Sequence, residues 1–319
     1  MRLCDPLRVL WLTPSRIQIG VDSRIAIHCD DLTPAEQRLT SHMSTEMTLQ
    51  EFHSSASRYS ISRERADEIL NMLRRAGMLT DSPNPVLPGD FSPSTRKLWL
   101  ERLDPLAVEV ALHLSSRINA FVANDKGSVG LKDHHLLASS RSSHRISAFR
   151  GALHMRGYGS KVFTGSAKNA DIAFITSLQE PDPLRCADIL RILPVYTLAY
   201  VEDLDIRVGP TVVRGMGSAC ASCLFHHRVD KNPAWVDLAL QTYSFRHYNP
   251  SRPGILTAAG LATGEIFGIM CGKKPALLGK QWVIPPPPQA PFLVDVPQHP
   301  SCSCAVLPEK YPERLDRAK

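Results

Sequence analysis

Four of the eight cysteines form two close pairs, Cys220 with Cys223 and Cys302 with Cys304. A Cys-x-x-Cys pair on a loop lets two thiolates reach one cation at about 2.3 Å, and a second pair completes a tetrahedron. Four thiolates leave no open coordination position, so the spacing predicts a structural zinc site that fastens the C-terminal segment to the domain. His299 is an alternative fourth ligand, although a polar role satisfied within the protein is favoured for it. A redox dithiol at the first pair and plain unpaired thiols stay open as rival interpretations.

The composition is that of an ordinary globular protein. Of 319 residues, 43% are apolar and 21% charged, which excludes a disordered chain. The net charge of +6 is too small and too scattered to indicate a nucleic-acid partner. The longest apolar stretch, residues 254–272, contains Glu265, so we expect no membrane span. The apolar run Val9–Leu12 is too short for a secretory signal, and we expect a cytoplasmic protein.

Two proline-rich segments divide the chain. Residues 80–94 hold four prolines and a glycine without apolar periodicity, which is typical of an interdomain linker. The sequence therefore predicts a domain at 1–80, a linker at 81–94 and a second domain at 95–319. Pro285–Pro288 is interpreted as a stiff spacer before the cysteine-bearing tail.

The first domain is expected to contain three strands followed by three helices. Alternating isoleucines predict strands at Arg16–Gly20 and Arg24–His28, after a first strand at Arg8–Leu12. The predicted helix N-caps are Thr33, Thr48 and Ser62, of which the first two begin capping boxes. This arrangement is typical of a small winged-helix-like domain.

The second domain alternates helical and strand patterns. Near-continuous apolar runs predict buried parallel strands at Asp171–Thr176 and Pro194–Val201, and Ile206–Val213 predicts an antiparallel extension. A further strand is predicted at Asn119–Ala123, and helices at Ala107–Leu114, Ser143–Met155, Asn232–Tyr243 and Ile255–Met270. The alternation predicts an α/β fold, with a sheet layered by helices.

Both cysteine pairs belong to segments that resemble a known family. Arg207–Gly215, Cys220–Cys223 and His299–Ala305 resemble, in order and spacing, the ThiF-like partner proteins of YcaO-type cyclodehydratases, which mature thiazole/oxazole-modified peptides and bacteriocins. Residues 16–36 and 77–79 resemble the family's winged-helix-like leader-recognition element. The resemblance covers nearly the whole chain. It implies a leader peptide and a YcaO-type cyclodehydratase as partners, a homodimer, and a degenerate α/β domain related to ThiF and ubiquitin-activating enzymes.

An active adenylating relative needs a glycine-rich loop after its first strand, so that backbone N–H groups can approach ATP phosphates. Leu103–Leu114 occupies that place here and contains no glycine. The metal-binding aspartate expected after the strand 171–176 is replaced by Ser177 and Leu178. The residues that remain as vestigial nucleotide-binding candidates are Asp125, Arg141 and Arg145. We therefore expect no turnover of ATP by this chain and assign no catalytic residue.

The leader peptide is expected to add a strand to the edge strand 24–28, beside the helix Arg63–Arg75. The candidate peptide-binding residues are Arg24, Ile25, Ala26, Ile27, His28, Arg63, Asp67, Leu70 and Arg74. Several of the apolar candidates are equally suited to the small domain's own core, and the sequence does not separate the two groups.

Two other functions stay open. One is an adenylating enzyme with an atypical nucleotide loop, which ATP–pyrophosphate exchange would reveal. The other is a zinc-containing winged-helix regulator that binds DNA. The helix Arg63–Arg75 carries four arginines against three acidic residues, which is a small charge excess for contacting phosphates.

Overall fold

The computed structural model describes residues 1–3, 7–80, 94–130, 136, 143–158, 161–242 and 250–306. The chain divides into two compact units, Met1–Ser92 and Pro93–Lys319. Of the predicted linker, residues 81–93 lie outside the described residues.

The first unit combines small antiparallel sheets with three helices. A three-stranded sheet has the order β2-β3-β4, and β1 pairs with β5. The strands are β1 (Arg2–Leu3), β2 (Val9–Thr13), β3 (Arg16–Ile19), β4 (Ile27–Cys29) and β5 (Leu79–Thr80). The helices are α1 (Pro34–His42), α2 (Leu49–Arg58) and α3 (Arg63–Arg75).

The three predicted helix starts are confirmed. The Thr33 hydroxyl accepts a hydrogen bond from Glu36 N, while the Glu36 carboxylate accepts one from Thr33 N at 2.6 Å. Thr48 and Glu51 repeat this capping box at α2, and Ser62 caps α3. Reciprocal capping satisfies N–H groups that have no partner within the helix.

The predicted strand Arg24–His28 is wrong over its first three residues. Asp22 organises a tight turn there, because its carboxylate accepts from Arg24 N at 3.0 Å and its carbonyl accepts from the N–H groups of Ile25 and Ala26. An aspartate that bonds the backbone two residues on favours a turn over a strand. The third strand therefore begins at Ile27.

The second unit has an eight-stranded sheet of order β13-β12-β11-β10-β9-β6-β7-β8. Its strands are β6 (Ser94–Leu100), β7 (Ile118–Ala123), β8 (Lys161–Thr164), β9 (Ile172–Leu178), β10 (Val195–Glu202), β11 (Asp205–Val213), β12 (Lys280–Ile284) and β13 (Phe292–Asp295). Its helices are α4 (Pro105–Leu114), α5 (Arg145–Met155), α6 (Pro183–Ile192), α7 (Ala221–Lys231), α8 (Trp235–Thr242) and α9 (Arg252–Met270). The predicted α/β alternation and the antiparallel extension at β11 are confirmed.

The path of the chain creates a crevice at the centre of the sheet. Strands β6, β7 and β8 run parallel toward one edge, and the chain then returns to place β9 on the other side of β6. Ligands of such sheets bind outside the carboxyl ends of the strands where the order reverses. We call the space beyond β6 and β9 the switch-point crevice.

Two apolar cores cover the two faces of this sheet. On β6, Leu98 and Leu100 belong to the core that includes α4 and α9, whereas Trp99 faces the core that includes α6 and α7. The alternation follows from the two-residue period of a strand. The second core also contains Cys220, Cys223 and Cys302, so the predicted metal site is part of a packed layer.

Helix α9 has the length and hydropathy of a membrane-spanning helix, but half of its apolar window is buried within the structure. Glu265 in its middle is also buried, where it accepts hydrogen bonds from Thr211 Oγ1 at 2.7 Å and from the N–H groups of Ala276 and Leu277 at 3.0 Å. A core helix packed on α4 and the sheet has the same properties, so the hydropathy alone is weak support for a membrane span.

Candidate metal centre and switch-point crevice

The four clustered cysteines converge on one point. Their Sγ atoms all lie within 4.8 Å of one another. Cys220 Sγ is 3.6 Å from Cys302 Sγ, and Cys223 Sγ is 3.3 Å from Cys304 Sγ. Four sulfurs at about 2.3 Å from a tetrahedral zinc ion would be about 3.8 Å apart. The cluster therefore has the donor set and nearly the spacing of a closed zinc site.

The pKa values of these thiols explain why a cation suits the cluster. A hydrogen bond from the Cys220 thiol lowers the pKa of Cys223 to about 4, while burial, followed by the neighbouring thiols, raises the pKa of Cys304 to about 12. One thiolate in the group thus opposes ionisation of the next. A bound divalent cation would replace the protons and neutralise the collected charge.

The first cysteine pair opens a helix, whereas the sequence predicted a loop. Cys220 is the N-cap residue of α7 and Cys223 lies in its first turn. A helix N-terminus favours thiolates through its N–H groups, which suits a metal site and a redox dithiol alike. What distinguishes the metal interpretation is the tail, because Cys302 and Cys304 bring a second pair of sulfurs to the same point.

Both ring nitrogens of His299 already have hydrogen-bond partners within the protein, so His299 is unsuited to be a substitute ligand. Its Nε2 lies 2.8 Å from Asp230 Oδ2, and its Nδ1 accepts a hydrogen bond from Ser301 N at 3.1 Å. The ring is buried and stacks on His226 with 5.0 Å between centroids. These contacts hold the tail against α7 and orient the segment that carries Cys302.

The loop between β6 and α4 forms one wall of the switch-point crevice. It runs through residues 101–104, contains no glycine, and ends at Asp104, which caps α4 by accepting from Ala107 N at 2.9 Å. The hydroxyl of Thr176, near the end of β9, donates to the other oxygen of Asp104. The Asp104 side chain therefore links the N-terminus of α4 to β9 across the crevice.

Asp125 follows β7 as predicted, and both oxygens of its carboxylate accept hydrogen bonds within the protein. It accepts hydrogen bonds from Leu103 N and Gly127 N, each at 2.8 Å, and lies 3.5 Å from Arg145 Nη1. The side chain is buried. In nucleotide-binding proteins of this topology, backbone N–H groups of this first loop are the ones available to phosphates. Here one of these groups, Leu103 N, donates its hydrogen bond to the Asp125 carboxylate instead. Arg141 lies outside the described residues.

Further charged side chains fill the crevice. Glu101 pairs with Arg185 of α6, and the cavity that remains beside them has a volume of 130 Å³. Small-molecule pockets are usually about 300–1,000 Å³. Cys186 on the same wall is buried, which raises the pKa of its thiol to about 12 and makes it a poor nucleophile.

Strand β9 extends two residues beyond its predicted end, so the residues that follow it are Gln179–Asp182. Two acids, Glu180 and Asp182, therefore stand where the sequence indicated none. Asp182 caps α6 by accepting from the N–H groups of Leu184 and Arg185. The predicted strand ended too early because polar Ser177 interrupts the apolar run, whereas β9 continues to pair with β10 through Ser177 and Leu178.

Buried Glu180 belongs to a partly buried charge network that sequence reasoning missed. Its Oε2 lies 2.8 Å from Arg228 Nε on α7, and Arg228 Nη1 lies 2.6 Å from Glu202 Oε1. Arg207 pairs with Glu202 as well. Burial raises the pKa of Glu180 to about 7 against the opposing attraction of Arg228. Glu180, Arg228 and Glu202 are far apart in sequence, so no local sequence pattern could have predicted that they interact.

Several candidate peptide-binding residues make contacts within the first unit. Arg24 is paired with Asp22, His28 Nε2 lies 2.9 Å from Gln18 Oε1, and His53 Nε2 lies 2.7 Å from Asp67 Oδ1. These polar contacts are within reach of solvent and can be exchanged for contacts with a ligand.

The remaining candidates separate by burial. Leu70 lies in the core and is 2% exposed, so it supports α3 and does not line a surface. Ile25 and Ile27 are half-buried and pack against the same core, and Ala26 is half-buried. Arg63 and Arg74 are exposed, as are Arg24 and His28. Arg63 also borders a 510 Å³ groove whose other lining residues include Leu49, His53, Ser57 and Ile61.

No family model matches this chain, and no curated protein sequence is significantly similar to it. Solved structures are similar in fold. Escherichia coli MccB with selenomethionine MccA is 13% identical with a TM-score of 0.64, over 95% of this chain and 99% of that one. MccB with ATP is 12% identical with a TM-score of 0.63, over the same shares. PaaA is 13% identical with a TM-score of 0.62, over 91% and 98%. The chain therefore has a ThiF-like α/β fold, and at these identities the similarity concerns the fold alone.

Proposed function

We propose that this chain is a non-catalytic recognition subunit. It binds the leader of a ribosomally made precursor peptide and presents the core of that peptide to a YcaO-type, ATP-dependent cyclodehydratase that forms azoline rings. The chain's contribution is to raise the local concentration of the core at the partner's active site. Zinc at the four cysteines has a structural role, and the working location is the cytoplasm.

The observation that carries the non-catalytic part is the position of the Asp125 carboxylate. It holds Leu103 N and Gly127 N at the place where a nucleotide phosphate would need backbone donors. A nucleotide would have to displace this buried carboxylate and also part Glu101 from Arg185. Leaving a buried group without its hydrogen-bond partner costs about 1–3 kcal/mol, and more for a charged group, which opposes productive ATP binding. The Glu101–Arg185 pair is partly exposed to solvent and adds less.

The peptide-binding part is supported by the fold and by the first unit's surface. MccB, whose fold this chain has along nearly its whole length, has been solved with the peptide MccA bound. In this chain, β4 ends the small sheet, and exposed Arg63 and Arg74 lie on α3. An extended leader can pair its backbone with β4 while its side chains contact α3.

The experiment is binding of a fluorescently labelled leader, taken from a short open reading frame beside the gene, to the full chain. We expect saturable binding, and a dissociation constant about tenfold higher when Arg63 and Arg74 are both changed to alanine. Arg75→Ala, an equally exposed arginine on the same helix, is the matched control. Saturable binding unaffected by either change would place the leader elsewhere. A folded, zinc-loaded chain that binds no leader would refute the function.

A second candidate function is adenylation of a peptide by this chain itself. The observations that favour it are the two acids after β9, Glu180 and Asp182, and the similarity of the fold to a structure of MccB with ATP. ATP–pyrophosphate exchange by the isolated chain in the presence of the peptide would establish it. Exchange at background, together with leader binding, would support the recognition subunit.

A further inference from the structure

The groove that Arg63 borders lies between α2 and the start of α3. One stripe of α2 lines it, because Leu49, His53 and Ser57 follow one another at intervals of one helical turn. Ile61, in the connection between the two helices, lines it as well. The volume of 510 Å³ is within the range of about 300–1,000 Å³ that is usual for ligand pockets. We call this space the α2–α3 groove.

Apolar side chains form part of the wall of the α2–α3 groove. Leu49 is a large apolar residue and is 46% exposed. Ile61 is half-buried and packs against the core of the first unit, and Ala56, which also lines the groove, belongs to that core. An apolar side chain of a ligand that covered Leu49 would remove its exposed surface from water, which is favourable by about 25 cal/mol per Å².

The polar groups of the groove are held in position and keep bonding capacity for a ligand. His53 Nε2 lies 2.7 Å from Asp67 Oδ1 on α3, and the His53 side chain is only 18% exposed, so the ring is fixed. Within the described part of the chain, His53 Nδ1 and the Ser57 hydroxyl have no hydrogen-bond partner. An imidazole that is fixed through one nitrogen can bond a ligand through the other.

The charge of the groove comes from Arg63. Among the described residues that line the groove, Arg63 alone carries a full charge, and it is exposed with no ion-pair partner in that part of the chain. Arg65, two residues further on, is by contrast paired with Glu36 at 2.6 Å and with Glu68 at 3.0 Å. Glu64 is adjacent to Arg63, but adjacent residues of a helix do not face each other. The complementary ligand therefore carries a carboxylate.

We infer that the α2–α3 groove selects the leader through two of its side chains, a large apolar one that packs against Leu49 and a carboxylate that pairs with Arg63. Leu49 and Ser57 are about 12 Å apart along α2, and Arg63 begins α3 after a short connection. An extended peptide covers this distance with about four residues. The inference rests on the proposed leader recognition and specifies its substrate class: a peptide with an apolar and an acidic residue about four positions apart.

The test is fluorescence-polarisation binding of the labelled leader described above to the full chain. Arg63→Ala and Leu49→Ala should each raise the dissociation constant by about fivefold, because each removes one of the two contacts. Arg75→Ala and Met72→Ala are the matched controls, since both residues are exposed on α3 and neither lines the groove. Both controls should stay within about twofold of the wild type. Circular dichroism checks that all four variants are folded.

Double-mutant cycles between chain and leader then assign the two contacts. Alanine at one acidic residue of the leader should weaken binding to the wild type but cause no further loss with Arg63→Ala. Alanine at one large apolar residue, about four positions away, should behave in the same way with Leu49→Ala. Leader binding that neither chain variant weakens, or losses that simply add, would overturn the groove and leave the recognition function in place. A folded wild-type chain that binds no leader would refute both.

Discussion

The cysteine cluster and the switch-point crevice both adjoin α6, and both gather several groups that could hold a ligand. In the cluster, four sulfurs point at one another and their neighbours raise or lower their pKa values in opposition. In the crevice, Asp125, Glu101 and Arg185 have protein partners: Asp125 accepts from Leu103 N, and Glu101 pairs with Arg185.

The difference shows that convergence alone does not indicate a ligand. Four thiolates carry like charges and cannot neutralise one another, so a bound cation would complete the cluster. Acids and bases that converge can neutralise one another, and the crevice is complete without a ligand. The comparison predicts that removing the metal should destabilise the region of the cysteine cluster. In the switch-point crevice, by contrast, single side-chain changes should lower the free energy of unfolding.

The largest effect is expected on removing zinc. Purified chain should contain about one equivalent of zinc, and a strong chelator should lower the stability of the second unit by about 4 kcal/mol, or about 10 °C in Tm. Cys223→Ser should do the same without chelator. The measurements are metal analysis and thermal unfolding followed by circular dichroism.

Cys271→Ser is the control for that experiment, because Cys271 lies outside the cluster and should keep both zinc and stability. A wild type that carries no zinc and whose Cys220 and Cys223 form a disulfide on oxidation would instead favour the redox interpretation. Equal Tm values with and without bound zinc would show that the metal does not fasten the tail.

The second effect concerns Glu180, whose folded-state pKa of about 7 lies above its ordinary value of 4.5. The folded chain therefore holds this proton more tightly than the unfolded chain, and wild-type stability should fall as pH rises from about 4.5 to 7. The shift corresponds to at most about 3 kcal/mol. Glu180→Gln should remove this loss, so that the variant is the more stable one at pH 8 and nearly equal to wild type at pH 4.5.

Urea unfolding at the two pH values measures this difference. Asp188→Asn is the control, because Asp188 is exposed on α6 and pairs with Arg191 at the surface, where ion pairs contribute little. If Glu180→Gln were instead less stable than wild type at pH 8, the attraction of Arg228 would outweigh the burial of the carboxylate, and the cause given for its raised pKa would be wrong.

Local signals account for what the sequence predicted correctly. The helix starts at Thr33, Thr48 and Ser62 were predictable because capping involves residues three apart in sequence. The apolar runs likewise predicted β9 and β10. The convergence of the four cysteines was predictable because two pairs of thiols at short spacing are typical of metal ligands. Each of these inferences starts from residues that are neighbours in the chain.

The misses have two origins, which are competing local structures and contacts between residues far apart in the chain. The turn at Asp22 competed with a strand pattern of the same residues, and hydrogen bonds decided between them. The network of Glu180 with Arg228 joins residues far apart in sequence. Leu70 was a candidate for both core and surface, and only packing assigns it to the core.

The smallest effect tests whether Asp125 is structural or a remnant that still serves a nucleotide. Asp125→Asn keeps one acceptor but turns an amide N–H₂ toward either Leu103 N or Gly127 N, leaving a buried donor without a partner. We expect a loss of about 2 kcal/mol in stability, and no change in ATP–pyrophosphate exchange. Asp171→Asn is the control, because Asp171 is exposed and accepts a single backbone N–H, from Lys97 at 2.8 Å.

Urea unfolding and the exchange assay on the same preparations separate the two roles of Asp125. Loss of stability with exchange at background in both proteins would mean that the carboxylate has replaced a phosphate in organising the loop. Unchanged stability with exchange that falls from a measurable wild-type value would mean that the crevice opens to admit ATP. In that case Glu101 and Arg185 would have to separate first, and the contrast between a completed crevice and an incomplete cluster would no longer hold.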